Sequence, residues 1–134
     1  MHLDIDIGDV ATAQDIPIAY HVYNDKDGGT VDVVGQGVLT ENGHMTYSRD
    51  GRWLLSDTYP DAQTNIRHLF LWDTKREIRI DIGAFRTDPD LGKENRCDLH
   101  PRWSRDGNGV CIDSIHQGPR GLYLVDVSSI VNAG

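Results

Sequence analysis

The chain has 134 residues and a net charge of −8, with 21 acidic against 13 basic side chains. That balance argues against a nucleic-acid surface, which needs a basic face to displace phosphate counterions, and against docking on an anionic membrane. No apolar run reaches the roughly 18 residues of a membrane span, the N-terminus lacks the basic and apolar regions of a signal peptide, and Cys97 and Cys111 form no C-x-x-C pair, so reduced thiols in a cytoplasmic protein are expected.

The local patterns are strand patterns. Residues 3–7 alternate apolar and polar. Residues 18–23 read as a strand, Asp27-Gly28-Gly29 as a hairpin turn, and residues 30–34 as the strand that returns. Together they make a degenerate or partial unit over residues 1–40. A complete unit follows over residues 41–84. Residues 44–48 form a short strand. Asp50-Gly51 turns it, because glycine reaches positive φ without steric cost. Residues 53–58 return. Past a polar loop, residues 68–73 alternate with period two, Thr74 to Glu77 turns the chain, and residues 78–82 give the cleanest alternation present. Four antiparallel strands in about 40 residues is the unit of a β-propeller blade.

The unit recurs over residues 96–130. Ser48-Arg49-Asp50-Gly51 returns as Ser104-Arg105-Asp106-Gly107, 56 positions later, and the same offset carries His44 onto His100 and residues 54–58 onto 110–114. Residues 69–73 match 122–126 at an offset of 53. The chain stops before an outer strand for this copy. The expected fold is therefore all-β: a partial β-propeller of about two and a half to three four-stranded antiparallel blades, with very little helix. Open blade faces and unpaired edges need cover. Self-association into a homo-oligomer, or membership of a longer propeller, would supply it. The run at 3–7 is available to fill the missing outer strand of another copy.

Tyr47-Ser48-Arg49-Asp50-Gly51-Arg52-Trp53 and Trp103-Ser104-Arg105-Asp106-Gly107 resemble the W-S-P-D-G signature of TolB-type, WD40-like propeller repeats, with arginine in place of the usual proline. The longer pattern runs through Gly43-His44, Asp57-Thr58-Tyr59-Pro60-Asp61, Arg96 to Trp103 and Asp113-Ser114. It is similar to the C-terminal blades of bacterial oligogalacturonate lyase-like proteins, over roughly residues 30–130. The resemblance implies a divalent metal, usually Mn²⁺, held in a central channel by three histidines and a glutamine. His44 and His100 match two of the histidines. Asp98 stands where the family has the third, and Asn95 lies near the position of the glutamine. The family's catalytic base has no matching position here.

His44, Asp98 and His100 make a mixed nitrogen and oxygen donor set suited to Mn²⁺, Zn²⁺ or Fe²⁺, with Asn95 as a carbonyl donor. A bound cation would neutralise a substrate carboxylate and acidify the neighbouring proton, as β-elimination from a uronate requires. The alternative is that each histidine hydrogen-bonds within its own blade. Arg96 and Arg102 flank the Asp98/His100 segment and suit bidentate grip on a carboxylate; surface ion pairing is the plainer role. His116 follows the second strand of the last unit, as a channel-mouth ligand or a solvated turn residue. Asp57 and Asp113 are equivalent and read as structural acceptors, Asp73 and Asp126 as turn caps, and Trp53, Trp72 and Trp103 as core. There is no G-x-S-x-G, phosphate loop, G-x-G-x-x-G or H-E-x-x-H. Two functions stand: the C-terminal portion of a lyase-like propeller acting on acidic oligosaccharides, or a non-catalytic propeller module for protein or carbohydrate binding or self-assembly. An inactive remnant of a propeller is a weaker third.

Overall fold

The computed structural model describes residues 2–4, 19–24, 28–91 and 96–133. Residues 5–7, Asp27 and Asn95, all named above, lie outside these. Among the described residues the chain is all-β, with ten strands in three antiparallel sheets, one 3-10 turn at Pro89–Leu91 and one four-residue helix, α1 (Ser128–Val131). The sheets are open; none closes on itself. Among the described residues no helix is long and apolar enough to cross a membrane. The chain divides into two compact units, Met1–Asn42 and Gly43–Gly134.

The first unit holds β1 (His2–Asp4), β2 (Ala19–Tyr23) and β3 (Val31–Val34), in that order across the sheet. β1 pairs with β2 of its own chain, His2 opposite His21. Within the described residues β1 is an edge strand of this sheet, paired on one side only. Tyr20 is buried, and its hydroxyl donates to the Glu41 carbonyl at 3.0 Å.

The second unit holds two sheets. One is four-stranded: β4 (Met45–Tyr47), β5 (Trp53–Asp57), β6 (Ile66–Asp73) and β7 (Ile78–Arg86), in sequence order. The other has β8 (Arg102–Trp103), β9 (Gly109–Ser114) and β10 (Gly121–Asp126), with β9 in the middle. β6 and β7 outrun the expected bounds. Their register skips Ile82 between the Leu69–Gly83 and Phe70–Asp81 pairs. This bulge lets the pairing continue past the clean alternation to Arg86.

The repeat is exact in its first turn. Ser48 Oγ donates to Asp50 Oδ1 at 2.6 Å and accepts from Trp53 N; Ser104 Oγ donates to Asp106 Oδ1 at 2.6 Å and accepts from Gly109 N. Gly51 and Gly107 take the left-handed backbone, φ 72° and 75°. Asp73 caps the β6–β7 turn, accepting from Lys75 N and Arg76 N, and is also held by Arg52. Asp126 accepts from Ser128 N.

Period-two alternation gives each sheet two faces. In the four-stranded sheet, Trp53, Leu55, Leu69 and Leu71 point one way and form a core with Leu99, Val110, Ile112 and Val127; Trp103, Tyr123 and Val125 pack against it. Each such side chain contributes roughly 1.5–3 kcal/mol on full burial. Leu54, Phe70 and Trp72 lie on the opposite face and are also buried. Trp72 is thus core, but not in the layer that holds Trp53.

A candidate metal centre

His44 precedes β4 directly. Its backbone N–H donates to Asp57 Oδ1 at 2.6 Å, and its ring Nδ1 lies 3.2 Å and 3.3 Å from the two Asp57 oxygens. Asp57 ends β5 on the core face, in phase with Trp53 and Leu55, and is wholly buried. Burial pushes its carboxyl above the ordinary carboxylate range, while the His44 N–H pulls the other way. In the tautomer whose Nδ1–H donates to this carboxylate, Nε2 carries the lone pair, the arrangement that orients a metal-binding histidine.

His100 differs from its copy. The expected strand start is not there: β8 begins at Arg102, because Pro101 has no N–H for the ladder. His100 takes a left-handed backbone at φ 43°, uncommon for a residue with a side chain. Asp57 N bonds the His44 carbonyl, yet the equivalent Asp113 N bonds Leu99, one residue earlier. That slip turns His100 out of the ladder. Its ring comes to 4.8 Å from the His44 ring, centroid to centroid, at 65°.

Asp98 completes the group. The donor atoms of His44, Asp98 and His100 all lie within 4.8 Å of one another. Three donors at metal bonds of about 2.1 Å stand roughly 3.4–3.6 Å apart, so the three would have to draw in by about 1 Å to hold one cation. Asp98 is also held from behind. Arg96 Nη2 donates to Oδ2 at 3.0 Å and Arg96 Nε lies 3.0 Å from Oδ1. Arg67 Nη2 lies 2.7 Å from the same Oδ1. Arg67 is buried, and the carboxylate sits off its N–H directions, so Nε, Nη1 and Nη2 all lack an aligned acceptor. Tyr59 borders the site, edge-on to His44 at 5.8 Å and beneath the Arg96 guanidinium at 5.5 Å.

The remaining expected residues disperse. Arg102 donates to the His100 carbonyl at 2.9 Å and to Asp113 Oδ1 at 3.3 Å, so it braces the His100 turn. Both Arg96 and Arg102 are engaged by acidic side chains of the chain itself, and half-exposed. His116 is elsewhere: its Nδ1 meets Ser114 Oγ at 2.7 Å, and its ring lies between Phe85 and Tyr123. It lines a cleft of about 870 Å³ with Arg86, Asp88, Ile115 and Arg120. Cys97 and Cys111 are free thiols, and burial raises the Cys97 pKa.

Arg67 and Tyr59 belong to the site but were not among the expected residues. A signal for Arg67 existed: carrying the period-two pattern of Leu71 and Leu69 back two positions puts Arg67 on the inward face. No family model matches the chain, and neither a curated protein nor a solved structure matches it.

Proposed function

We propose that the chain is the C-terminal portion of an oligogalacturonate lyase-like propeller protein, and that His44, Asp98 and His100 form a divalent-cation site, for Mn²⁺ or a similar ion, that receives a carboxylated oligosaccharide. The observation that carries this reading is the meeting of two repeat-equivalent histidines, ring to ring at 4.8 Å, with a carboxylate beside them. His100 reaches that position only through an unfavourable backbone conformation. Strain of this kind persists where surroundings enforce it and clusters at functional sites.

The chain's own residues have distinct parts. Asp57 orients His44. Arg67 and Arg96 fix the Asp98 carboxylate. Arg102 and Asp113 brace the turn that carries His100. A bound cation would supply charge neutralisation for a substrate carboxylate. No residue matches the family's catalytic base, so the expected property of this chain alone is binding without turnover.

Titration of the metal-free protein with MnCl₂ and with ZnCl₂, followed by calorimetry and metal analysis, tests the reading. One ion per chain, lost in both His44→Ala and His100→Ala, supports it. Failure to retain any divalent ion at saturation overturns it. Absorbance of the unsaturated uronate on adding oligogalacturonate reports turnover separately.

A second reading is a non-catalytic propeller module for protein or carbohydrate binding. The engagement of both Asp98 oxygens by arginines favours it, since such a carboxylate is already neutralised. Absence of metal in the titration would leave this reading standing.

A further inference from the structure

Within the second unit, β4 and β8 are each the edge strand of their sheet. Trp103 Nε1 donates to the Thr46 carbonyl at 3.4 Å and ties the two edges together. A cleft of about 800 Å³ lies along them. Thr46, Tyr47 and Arg49 line it from β4 and the turn that follows, and Arg102, Trp103 and Arg105 from β8 and the copy of that turn. His44 directly precedes β4, and Pro101 alone separates His100 from β8. Both strands therefore lead from the histidines of the candidate centre to the serine–aspartate turns. From His44 to Arg49 is roughly 15 Å of extended chain, longer than a single sugar ring.

The cleft is cationic in a chain of net charge −8. Three arginines line it against one acid, Asp106. Asp106 Oδ1 is taken up by the Ser104 hydroxyl and the Asn108 N–H of its own turn. Arg102 is held by Asp113 and the His100 carbonyl. Arg49 and Arg105 differ from it. Both are exposed, and neither side chain has a hydrogen bond or ion pair with a described residue. They are repeat equivalents, each second in a four-residue turn that Gly51 N closes on the Ser48 carbonyl and Gly107 N on the Ser104 carbonyl. Proline suits that turn position and would stiffen it; both copies carry an unpaired guanidinium instead. A guanidinium grips a carboxylate through two parallel hydrogen bonds.

We infer that this cleft binds the length of a carboxylated oligosaccharide that extends beyond the candidate centre, with Arg49 and Arg105 taking carboxylates of its further units. The inference rests on the ligand class proposed above and extends it from one carboxylate to a chain of them. Main-chain groups that an edge strand leaves unpaired suit the sugar hydroxyls. Single-stranded nucleic acid, another linear polyanion, needs a broadly basic surface that this acidic chain lacks.

The test is calorimetric titration of the protein, stripped of metal and freed of chelator, with a galacturonate tetramer, its methyl ester and a single-stranded oligodeoxynucleotide. Expected is binding of the tetramer by the wild type, at least tenfold weaker binding by Arg49→Gln/Arg105→Gln, and partial recovery in Arg49→Lys/Arg105→Lys. The methyl ester, which keeps the sugar backbone and loses the charge, should bind at least tenfold more weakly than the acid. Far-UV circular dichroism checks that both variants keep their sheets. A parallel MnCl₂ titration separates this inference from the cation site: the arginine variants should bind Mn²⁺ as the wild type does. Tetramer binding that depends on the two arginines in a chain that retains no Mn²⁺ would sink the cation site and leave the cleft standing. The cleft is overturned if the wild type does not bind the tetramer, or if Arg49→Gln/Arg105→Gln binds it equally well. It is also overturned if the methyl ester or the oligonucleotide binds as tightly as the acid.

Discussion

Arg67 Nη2 lies 2.7 Å from Asp98 Oδ1, and the arginine is 1% exposed, so one strand of the four-stranded sheet delivers a buried cation to the carboxylate of the candidate centre. Breaking such a pair from one side leaves an uncompensated buried charge. Arg67→Met is expected to destabilise the fold by about 3 kcal/mol, the low end for a buried pair, because Arg96 still holds Asp98. The double variant Arg67→Met/Asp98→Asn is expected to recover part of that loss. Urea denaturation of the two singles and the double measures it; additive losses would show that the two side chains are not coupled.

The acid limb of stability is expected to involve Asp73. Hydrogen bonding from Arg52 holds its carboxyl at about 2, below its ordinary 3.8, with the turn N–H groups of Lys75 and Arg76 adding to the effect. The folded value lies under the unfolded one. The group's contribution is thus complete above about pH 4 and drains away as pH falls towards about 2. Asp73→Asn is expected to lower the urea midpoint at neutral pH and to flatten its fall through that acid window. A slope equal to that of the wild type would assign the acid sensitivity to other carboxylates.

The two serine–aspartate turns are copies, so they should respond alike to the same lesion. A methyl group at Gly51 or Gly107 would meet nothing within 4 Å, which leaves only the cost of positive φ. Gly51→Ala and Gly107→Ala are each expected to cost about 1–2 kcal/mol. Paired denaturation curves check the equality. A much larger loss at one site would show that its turn carries tertiary strain that the other lacks.

His100 should trade stability against binding. Replacing it by glycine removes the side-chain penalty of the left-handed backbone and is expected to stabilise the chain by about 0.5–1 kcal/mol. The same change removes a ring nitrogen from the donor set, so Mn²⁺ affinity should fall at least tenfold. Thermal melts and calorimetric titration of His100→Gly read both. A variant that is less stable than the wild type would mean that the His100 ring contributes more to packing than the backbone conformation costs.

Much of the local structure was legible in order along the chain. Period-two alternation marked the strands at residues 68–73 and 78–82. The Asp-Gly pairs marked the turns, and the recurrence of Ser48 to Gly51 at Ser104 to Gly107 located a second copy of the unit. The site was legible only in part. His44, Asp98 and His100 were named from their resemblance to a known family's pattern, and the structure brings these three together. Arg102 and His116 were named beside them; Arg102 lies against the His100 turn and His116 lines a separate cleft. Arg67 was passed over because the polar loop before residue 68 hid the start of β6.

What the sequence determined by itself is the set of short-range choices: which residues alternate, where glycine permits a reversal, and which serine and aspartate close each turn. These depend on neighbours a few positions away. The tertiary structure decided the rest. Pairing a sheet at residues 45–86 with one at residues 102–126 set which of two apolar faces became core and which stayed open. Pro101 and the left-handed turn at His100 broke the equivalence of two identical histidines and moved one ring against the other. That outcome depends on contacts between residues some 56 positions apart, a distance over which periodicity carries no information.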